Sequence, residues 1–430
     1  MVKTRVRNEE ELRDKFLNLV EKYIDKKKYC LIRDKQLYGK YLDLYIEDVK
    51  KNPYVVFEFK NFLNTSLARQ SGKHQLKDYC KLAKVEFGVL TDLKKYYLYK
   101  KNKFEAVTFY QLLITLFPEI KGTIVPQNYE IIKKYLKKCK LDKFKLRLQD
   151  VKLKNDFLCF SSNYEKKFIK QFPSFSYDDE RICRYVPLDT LFQIIKNKKI
   201  RLNGIVGMND STEADFVEKI LYGKKLDNIE SQKKANSIYI MSCSSGNNID
   251  KLTQWRLYGD DTKGACLVFE INENNKTSSS GFKLGKVQYC KYKSDSLEEK
   301  NNPSEILSNI KDFIESVYDK TLLPFVFHSF HEWAHFYKPE DYEIEDEIRL
   351  LYVNNGSITK KWFVSNKINV INSYIEIPLA KRDFPLKLTE IYLGPKCPER
   401  DENKKQLKVM LNEINRDDVD VILSDIECYR

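Results

Sequence analysis

Polar and apolar residues alternate with a period of two along Tyr41–Glu47, a second and mostly apolar run covers Tyr54–Phe59, and Lys-Lys-Asn-Pro at 50–53 separates the two. A period of two broken by a proline-bearing turn predicts a β-hairpin. Before it, the spacing predicts an N-terminal helix that carries Glu10, three residues ahead of Arg13. After it come a polar loop (Asn61–Gly72) and a helix that opens His74-Gln75-Leu76-Lys77-Asp78-Tyr79. A strand Phe87–Asp92 follows, and then Tyr97-Leu98-Tyr99. Pro118, Gly122 and Pro126 punctuate a chain otherwise poor in both residues, which predicts a boundary near 118–127. Asn128–Leu148 reads as an amphipathic helix. Ile131, Ile132, Tyr135, Leu136 and Cys139 take one face, and Lys133, Lys134, Lys137, Lys138 and Lys140 the other. Residues 151–180 read as a connector with one apolar patch, Phe157–Phe160.

Short apolar runs and helical periods then alternate. Strands are expected at Ile182–Val186, Ile200–Leu202, Ser237–Cys243, Ala265–Ile271, Glu347–Tyr352, Glu390–Leu393 and Val419–Leu423. Helices are expected at Leu188–Lys196, Asp250–Tyr258 and Glu402–Ile414, with one long helical stretch over 303–337. The implied organisation is an α/β domain at 1–120, a basic helical linker at 121–180 and an α+β domain at 181–430.

The 430 residues are 42% hydrophobic and 13% aromatic, which describes a globular chain with more than one core. No apolar run approaches the roughly 20 residues that span a bilayer, and the first residues hold no apolar signal core, so no membrane partner is expected. Ten cysteines lie scattered without a Cys-x-x-Cys pair, which points to free thiols in a reducing cytoplasm. The net charge is +14, and it is uneven. Residues 1–150 hold 34 Lys and Arg against 19 Asp and Glu; the remainder is balanced, at 42 against 43. A basic field over the first part favours a nucleic-acid partner, with Lys73, Lys133 and Lys137 as candidate phosphate contacts.

The hairpin carries the chemistry. Asp43 lies on its first strand, and Glu58 and Lys60 on its second, two residues apart. Two convergent carboxylates with a lysine beside them suit a hard divalent cation and an activated water. The alternative is a solvated hairpin bearing a surface ion pair. The pattern acid, then Glu58-Phe59-Lys60, resembles the PD-(D/E)XK nuclease superfamily, although Leu42 stands where the naming proline would be. With the helix before it, a Gln75-x-x-x-Tyr79 helix after it and Gly88-Val89-Leu90-Thr91-Asp92, residues 8–110 most resemble the N-terminal nuclease part of type I restriction R-subunits. The resemblance implies a restriction-endonuclease-like core. Asp43 and Glu58 would ligate Mg²⁺ or Mn²⁺, with Glu10 (or its rivals Glu9, Glu11 and Glu21) completing the shell. Lys60 would orient or deprotonate the attacking water and offset phosphate charge, and Gln75 would position it.

The second half is similar to a bacterial domain family of unknown function, the one numbered 2971, over about 183–425. The shared phrases are Arg184-Tyr185, Asn209-Asp210-Ser-Thr-Glu213, Ser242-Cys243-Ser244, Trp255-x-x-Tyr258, Lys263-Gly264-Ala265-Cys266, Glu345-x-Glu347-x-Arg349 and Leu393-Gly394-Pro395-Lys396-Cys397. The order Arg184, Ser242-x-Ser244, Glu345-x-Glu347 also resembles the signature of ADP-ribosyltransferases. That resemblance implies NAD held by Arg184, a pocket shaped by Ser242 and Ser244, and Glu347 as the catalytic acid. It departs from the signature in placing about 100 residues between serines and glutamates. His331-Glu332-x-x-His335 satisfies the zincin spacing, and it equally suits a buried helix stripe.

The expected protein is a metal-dependent nuclease acting on DNA before RNA. With no helicase motor or sequence-reading motif, it would serve as a bacterial anti-phage defence effector with a C-terminal sensor or modifying domain. A homodimer would pair two sites on two strands. The alternatives are an NAD-dependent ADP-ribosyltransferase toxin whose first domain docks nucleic acid, and a non-catalytic nucleic-acid-binding component.

Overall fold

The computed structural model describes residues 9–154, 156–175, 180–207, 211–222, 235–272, 281–290, 303–364 and 370–427. The chain forms two compact units of mixed α/β structure. The first comprises residues 1–165 with 312–328, and the second 166–311 with 329–430. The expected divisions at 120 and 180 are therefore displaced. The reason is non-local apolar packing. Phe160 lies against Phe313, Phe325 and Phe327, and the Leu158 amide donates to Pro324 O, so a segment distant in sequence completes the first core.

The first unit is built on a six-stranded sheet in chain order: β1 (Tyr29–Leu37), β2 (Lys40–Asp48), β3 (Pro53–Phe59), β4 (Phe87–Thr91), β5 (Tyr96–Lys100) and β6 (Lys103–Val107). All neighbours are antiparallel except β3 and β4, which run parallel and are joined by helix α2 (Ser66–Ala83). The Thr65 hydroxyl caps the start of α2 by accepting from the Ala68 amide. Helix α1 (Glu9–Val20) packs Phe16 on Phe57 and Phe59. On α2, Leu76, Tyr79 and Cys80 share a core with Val56 and Leu90. Gly88 lets α2 approach β4, because a Cβ there would collide with Cys80 Sγ and meet Leu76.

Helices α3 (Phe109–Leu116) and α4 (Ile124–Lys138) follow, and β7 (Val151–Lys154) pairs with β8 (Phe157–Phe160). The basic helix is thus shorter than the expected 128–148 and is no linker. It buries Ile132 and Leu136, and its Asn128 accepts a hydrogen bond from the Tyr23 hydroxyl. Lys133 and Lys137 are exposed, as the pattern implied.

The second unit holds a ten-stranded sheet. Its strands are β9 (Arg181–Val186), β10 (Lys199–Gly204), β11 (Ile238–Ser245), β12 (Ala265–Ile271), β13 (Phe282–Lys286), β16 (Glu347–Val353), β17 (Lys361–Val364), β18 (Ile371–Pro378), β19 (Leu386–Leu393) and β20 (Asp420–Leu423). A separate parallel pair is β14 (Gln288–Cys290) with β15 (Tyr337–Pro339). Strand β11 carries β16 along one edge. Along the other it pairs first with β10 at Tyr239–Ile240 and then with β9 at Ser244–Ser245, so the sheet forks there. The expected helix over 303–337 is broken: it runs from Pro303 to Thr321, and Leu322 turns into the left-handed region (φ 57°) ahead of Pro324. Asn209 and Asp210 lie outside the described residues.

Gly88→Ala is expected to destabilise the first unit by about 1–3 kcal/mol, the usual cost of overpacking a tight contact. Denaturant unfolding checks it: an unchanged midpoint would mean that α2 and β4 do not approach as closely as described.

Candidate functional site

The β2–β3 ladder ends at Leu44 opposite Phe57, with Asp43 and Glu58 next in line. Beyond that point the strands part, and the Phe59 amide donates to Asp43 Oδ2 (2.9 Å) in place of a backbone carbonyl. Glu58 is only 1% exposed. One of its oxygens accepts from Lys60 Nζ at 2.5 Å; the other, Oε2, is buried without a hydrogen-bond partner. Burial, with the Asp43 carboxylate alongside, pushes the Glu58 carboxyl up to about 7. Burial also raises Asp43, an effect the Phe59 amide, Lys60 and Arg13 partly offset. Burial opposes the charge on Lys60, but Glu58, Glu9 and Asp43 outweigh it and hold the ammonium protonated.

From α1, Glu9 approaches the site, with Oε2 3.8 Å from Lys60 Nζ; Glu10 is exposed. Arg13, one turn on from Glu9, binds Asp34 at 2.5 Å. Asp34 has left-handed backbone (φ 47°) where the β1–β2 register skips the position facing Asp43. Asp92 fixes the loop behind the lysine, accepting from the amides of Leu63, Lys94 and Lys95. Sequence reasoning named Arg13 and Asp92 without giving either a role, and it passed over Asp34. The i, i+4 spacing of Glu9 and Arg13 was the available signal for one of them.

Gln75 donates to the Tyr79 hydroxyl (2.9 Å) and lines an open groove with Lys40, Ser71, His74 and Asp78. Lys73 lies over the rings of Tyr97 (4.6 Å) and Phe104 (5.2 Å).

The C-terminal candidates divide between the two faces of the second sheet. Ser244 lies opposite both Cys183 and Glu347 in the ladders, so those side chains share a face. Arg184, the neighbour of Cys183, leaves by the other face, where its guanidinium donates to Arg201 O and spans the fork between β9 and β10. Ser242 is exposed. Ser244 donates to Glu345 O (3.1 Å), and Gln254 donates to Ile344 O. Glu345 accepts from Tyr258 Oη (2.6 Å) and Lys338 Nζ (2.7 Å).

Glu347 is saturated. Arg349 grips both its oxygens (2.8 and 2.9 Å), Lys338 reaches Oε2 at 2.6 Å, and the Tyr289 hydroxyl receives its amide. Burial opposes the charge on Glu347, but Arg349 and Lys338 prevail and hold the carboxyl down at about 2. The expected NAD site is therefore not assembled as the resemblance implied: Arg184 is on the far face, and Glu347 is committed to two cations.

The histidine motif does not lie on one helix. His331 and Glu332 fall in the four-residue helix Phe330–Trp333, and His335 in the turn Ala334–Phe336. Glu332 is ion-paired with Lys283. Among the described residues, no group of three or more His, Cys, Asp or Glu side chains is clustered to hold a metal.

Residues 254–350 match the family described as Protein of unknown function (DUF2971). This segment supplies Gln254, Tyr258, Tyr289, Lys338, Glu345, Glu347 and Arg349, all of the polar cluster except Ser244. No curated protein and no solved structure matches the chain.

Replacing Arg349 with Met is expected to cost about 3–5 kcal/mol, because it leaves a buried carboxylate short of its main counter-charge. The pH dependence has a definite sign. Glu347 has a depressed folded pKa, so its contribution is present above pH 4.5 and is lost as pH falls towards about 2. Urea unfolding from pH 6 to pH 3 reads both effects: wild type should lose stability on acidification more steeply than Arg349→Met, and equal slopes would contradict the pairing.

Proposed function

We propose that the chain is a metal-dependent nuclease of PD-(D/E)XK type, with its site in the first unit and DNA as the favoured substrate. The observation that supports this most is the state of Glu58: a buried carboxylate beside Asp43, bonded to Lys60 on one oxygen and unpartnered on the other. The residues fit a divalent cation. Asp43 and Glu58 would hold it, and a dication would offset both the burial and the mutual repulsion that raise Glu58. When bound, Mg²⁺ or Mn²⁺ supplies charge neutralisation at the phosphate and a more acidic water.

The protein's own residues do the rest. Lys60, held charged, offers an ammonium to the developing negative charge and orients rather than deprotonates the nucleophile. Glu9 and Asp43 keep that lysine in place electrostatically. Asp92 anchors the loop that follows it. The order α1, β2–β3, α2, β4 is the order of elements that the resemblance to restriction R-subunits implied, with β1 added ahead of the hairpin, which supports a restriction-endonuclease-like reading of this unit. In this reading the second unit, with its polar cluster tied up in ion pairs, acts as the sensing or regulatory part of a defence effector.

Plasmid and linear DNA incubated with Mg²⁺ or Mn²⁺ should be cut, and EDTA should stop it. Lys60→Ala should lower the rate by roughly 100-fold or more, in line with the loss of one transition-state contact. No metal-dependent cutting of DNA or RNA by the wild type would remove the reading.

A second measurement does not depend on finding the substrate. Between pH 4.5 and about 7 the folded protein keeps a proton on Glu58 that the unfolded chain has released, so the metal-free protein loses stability as pH rises through that window. The same proton competes with the cation. Added Mg²⁺ should raise the melting temperature more at pH 8 than at pH 6, and Glu58→Gln should abolish that increment.

A further inference from the structure

Among the described residues, the exposed aromatics of the first unit are Tyr38, Tyr41 and Phe62, and all three fall on the stretch of chain that carries Asp43 and Lys60. Tyr38 is 83% exposed, Tyr41 62% and Phe62 58%. Tyr38 is costly where it stands. It occupies the tip of the β1–β2 hairpin with φ +48°, followed by Gly39 at +79°. A two-residue turn with both central φ values positive favours Asn, Asp or Gly, and an aromatic there is uncommon. At 83% exposure the ring gains almost no burial in return. Its backbone conformation is poor for a tyrosine, and its side chain contributes little to the fold.

The groove beside this tip is polar, with one lysine and one aspartate in its lining. Lys40, the residue after the turn, lines it together with Ser71, His74, Gln75, Asp78 and Tyr79 of α2. Lys40 Nζ stands 5.8 Å over the Tyr79 ring. Leu67, one turn before Ser71 on the same helix, is 77% exposed. Three residues along β2 from Lys40 is Asp43. Lys40 and the Ser71 hydroxyl suit phosphates and stand on the groove side, where the lining also holds the Asp78 carboxylate, 3.5 Å from His74; the Tyr41 ring, next to Lys40 on β2, leaves by the other face, and Tyr38 stands at the tip between them. In a duplex the base faces are stacked on one another and hidden; in an unpaired strand they are available, and aromatic side chains bind them without regard to sequence.

We propose that the nuclease site receives a single-stranded or locally unpaired nucleic acid that crosses the β1–β2 tip, its bases stacking on Tyr38 at the tip and on Tyr41 on the face opposite Lys40, while its phosphates meet Lys40 and Ser71 on the groove side. This rests on the nuclease reading for the fate of the strand, but not for its binding. The charge excess of residues 1–150 supplies the attraction for the backbone. The tyrosines select against paired bases.

The test is fluorescence anisotropy in EDTA on the full chain. The probes are labelled 20-mers of oligo-dT and oligo-rU and a mixed-sequence DNA duplex of equal length. The wild type should bind at least one single strand about tenfold more tightly than the duplex. Tyr38→Ala/Tyr41→Ala should lose roughly tenfold or more of that affinity with duplex binding unchanged, as expected for the loss of stacked bases. Tyr38→Phe/Tyr41→Phe should retain it, and a melting curve for each variant separates a lost contact from a lost fold. Equal affinity for duplex and single strand, or an alanine variant that folds and binds as wild type, overturns the proposal. Mn²⁺-dependent cleavage measured in parallel keeps the two readings apart. Tyrosine-dependent strand binding without cleavage sinks the nuclease and leaves this surface standing; cleavage of duplex by a tyrosine-independent route does the reverse.

Discussion

A carboxylate taken out of water must be matched by positive charge or give up its own charge. Two glutamates on strands of this protein meet that constraint in opposite ways. Glu58 and Glu347 are 1% and 2% exposed, and each is followed two residues later by a cation, Lys60 in one case and Arg349 in the other. Glu347 is satisfied on both oxygens, and its carboxyl sits at about 2. Glu58 is satisfied on one, with a second acid beside it, and its carboxyl rises to about 7. The first arrangement is closed. The second is short of positive charge, and that shortage is what a metal site needs.

The difference comes from what the rest of each unit brings to the strand. Beside Glu347, the parallel pair of β14 and β15 delivers Tyr289 and Lys338, and the second cation completes the balance. Beside Glu58, the parting of β2 from β3 delivers Asp43 instead, held by the Phe59 amide. Helix α1 adds Glu9, a further negative charge near Lys60. The first unit gathers acids around one lysine; the second surrounds its acids with cations.

The forked sheet of the second unit shows the same sensitivity to placement. Arg184, Ser244 and Glu347 follow one another along the chain in the order on which the ADP-ribosyltransferase resemblance rested. Strand alternation then sends Arg184 to the face opposite Ser244 and Glu347, where it bridges β9 and β10. A linear motif states which residues occur; the parity of a strand decides which of them can meet.

Much of this was legible in the sequence. The hairpin, the Glu-x-Lys strand, the later part of α2 and β4 follow from periodicity and turn residues, because these are local properties; the first turns of α2, from Ser66, fall in what reads as a polar loop. Most strands of the second sheet did as well. The short strands β13, β14, β15 and β17 did not; each is three to five residues long and owes its existence to a partner rather than to its own propensity. The longer β1 and β18 were passed over as well. The break at Leu322 was hidden by helical spacing on both sides. The division into units was illegible because it depends on Phe313, Phe325 and Phe327 packing on Phe160, more than 150 residues away in the chain. The sequence by itself determined which acids and cations stand two apart on strands. Only the tertiary structure decided which of those acids would be fully paired, since that depends on charges brought from distant segments into a place without water.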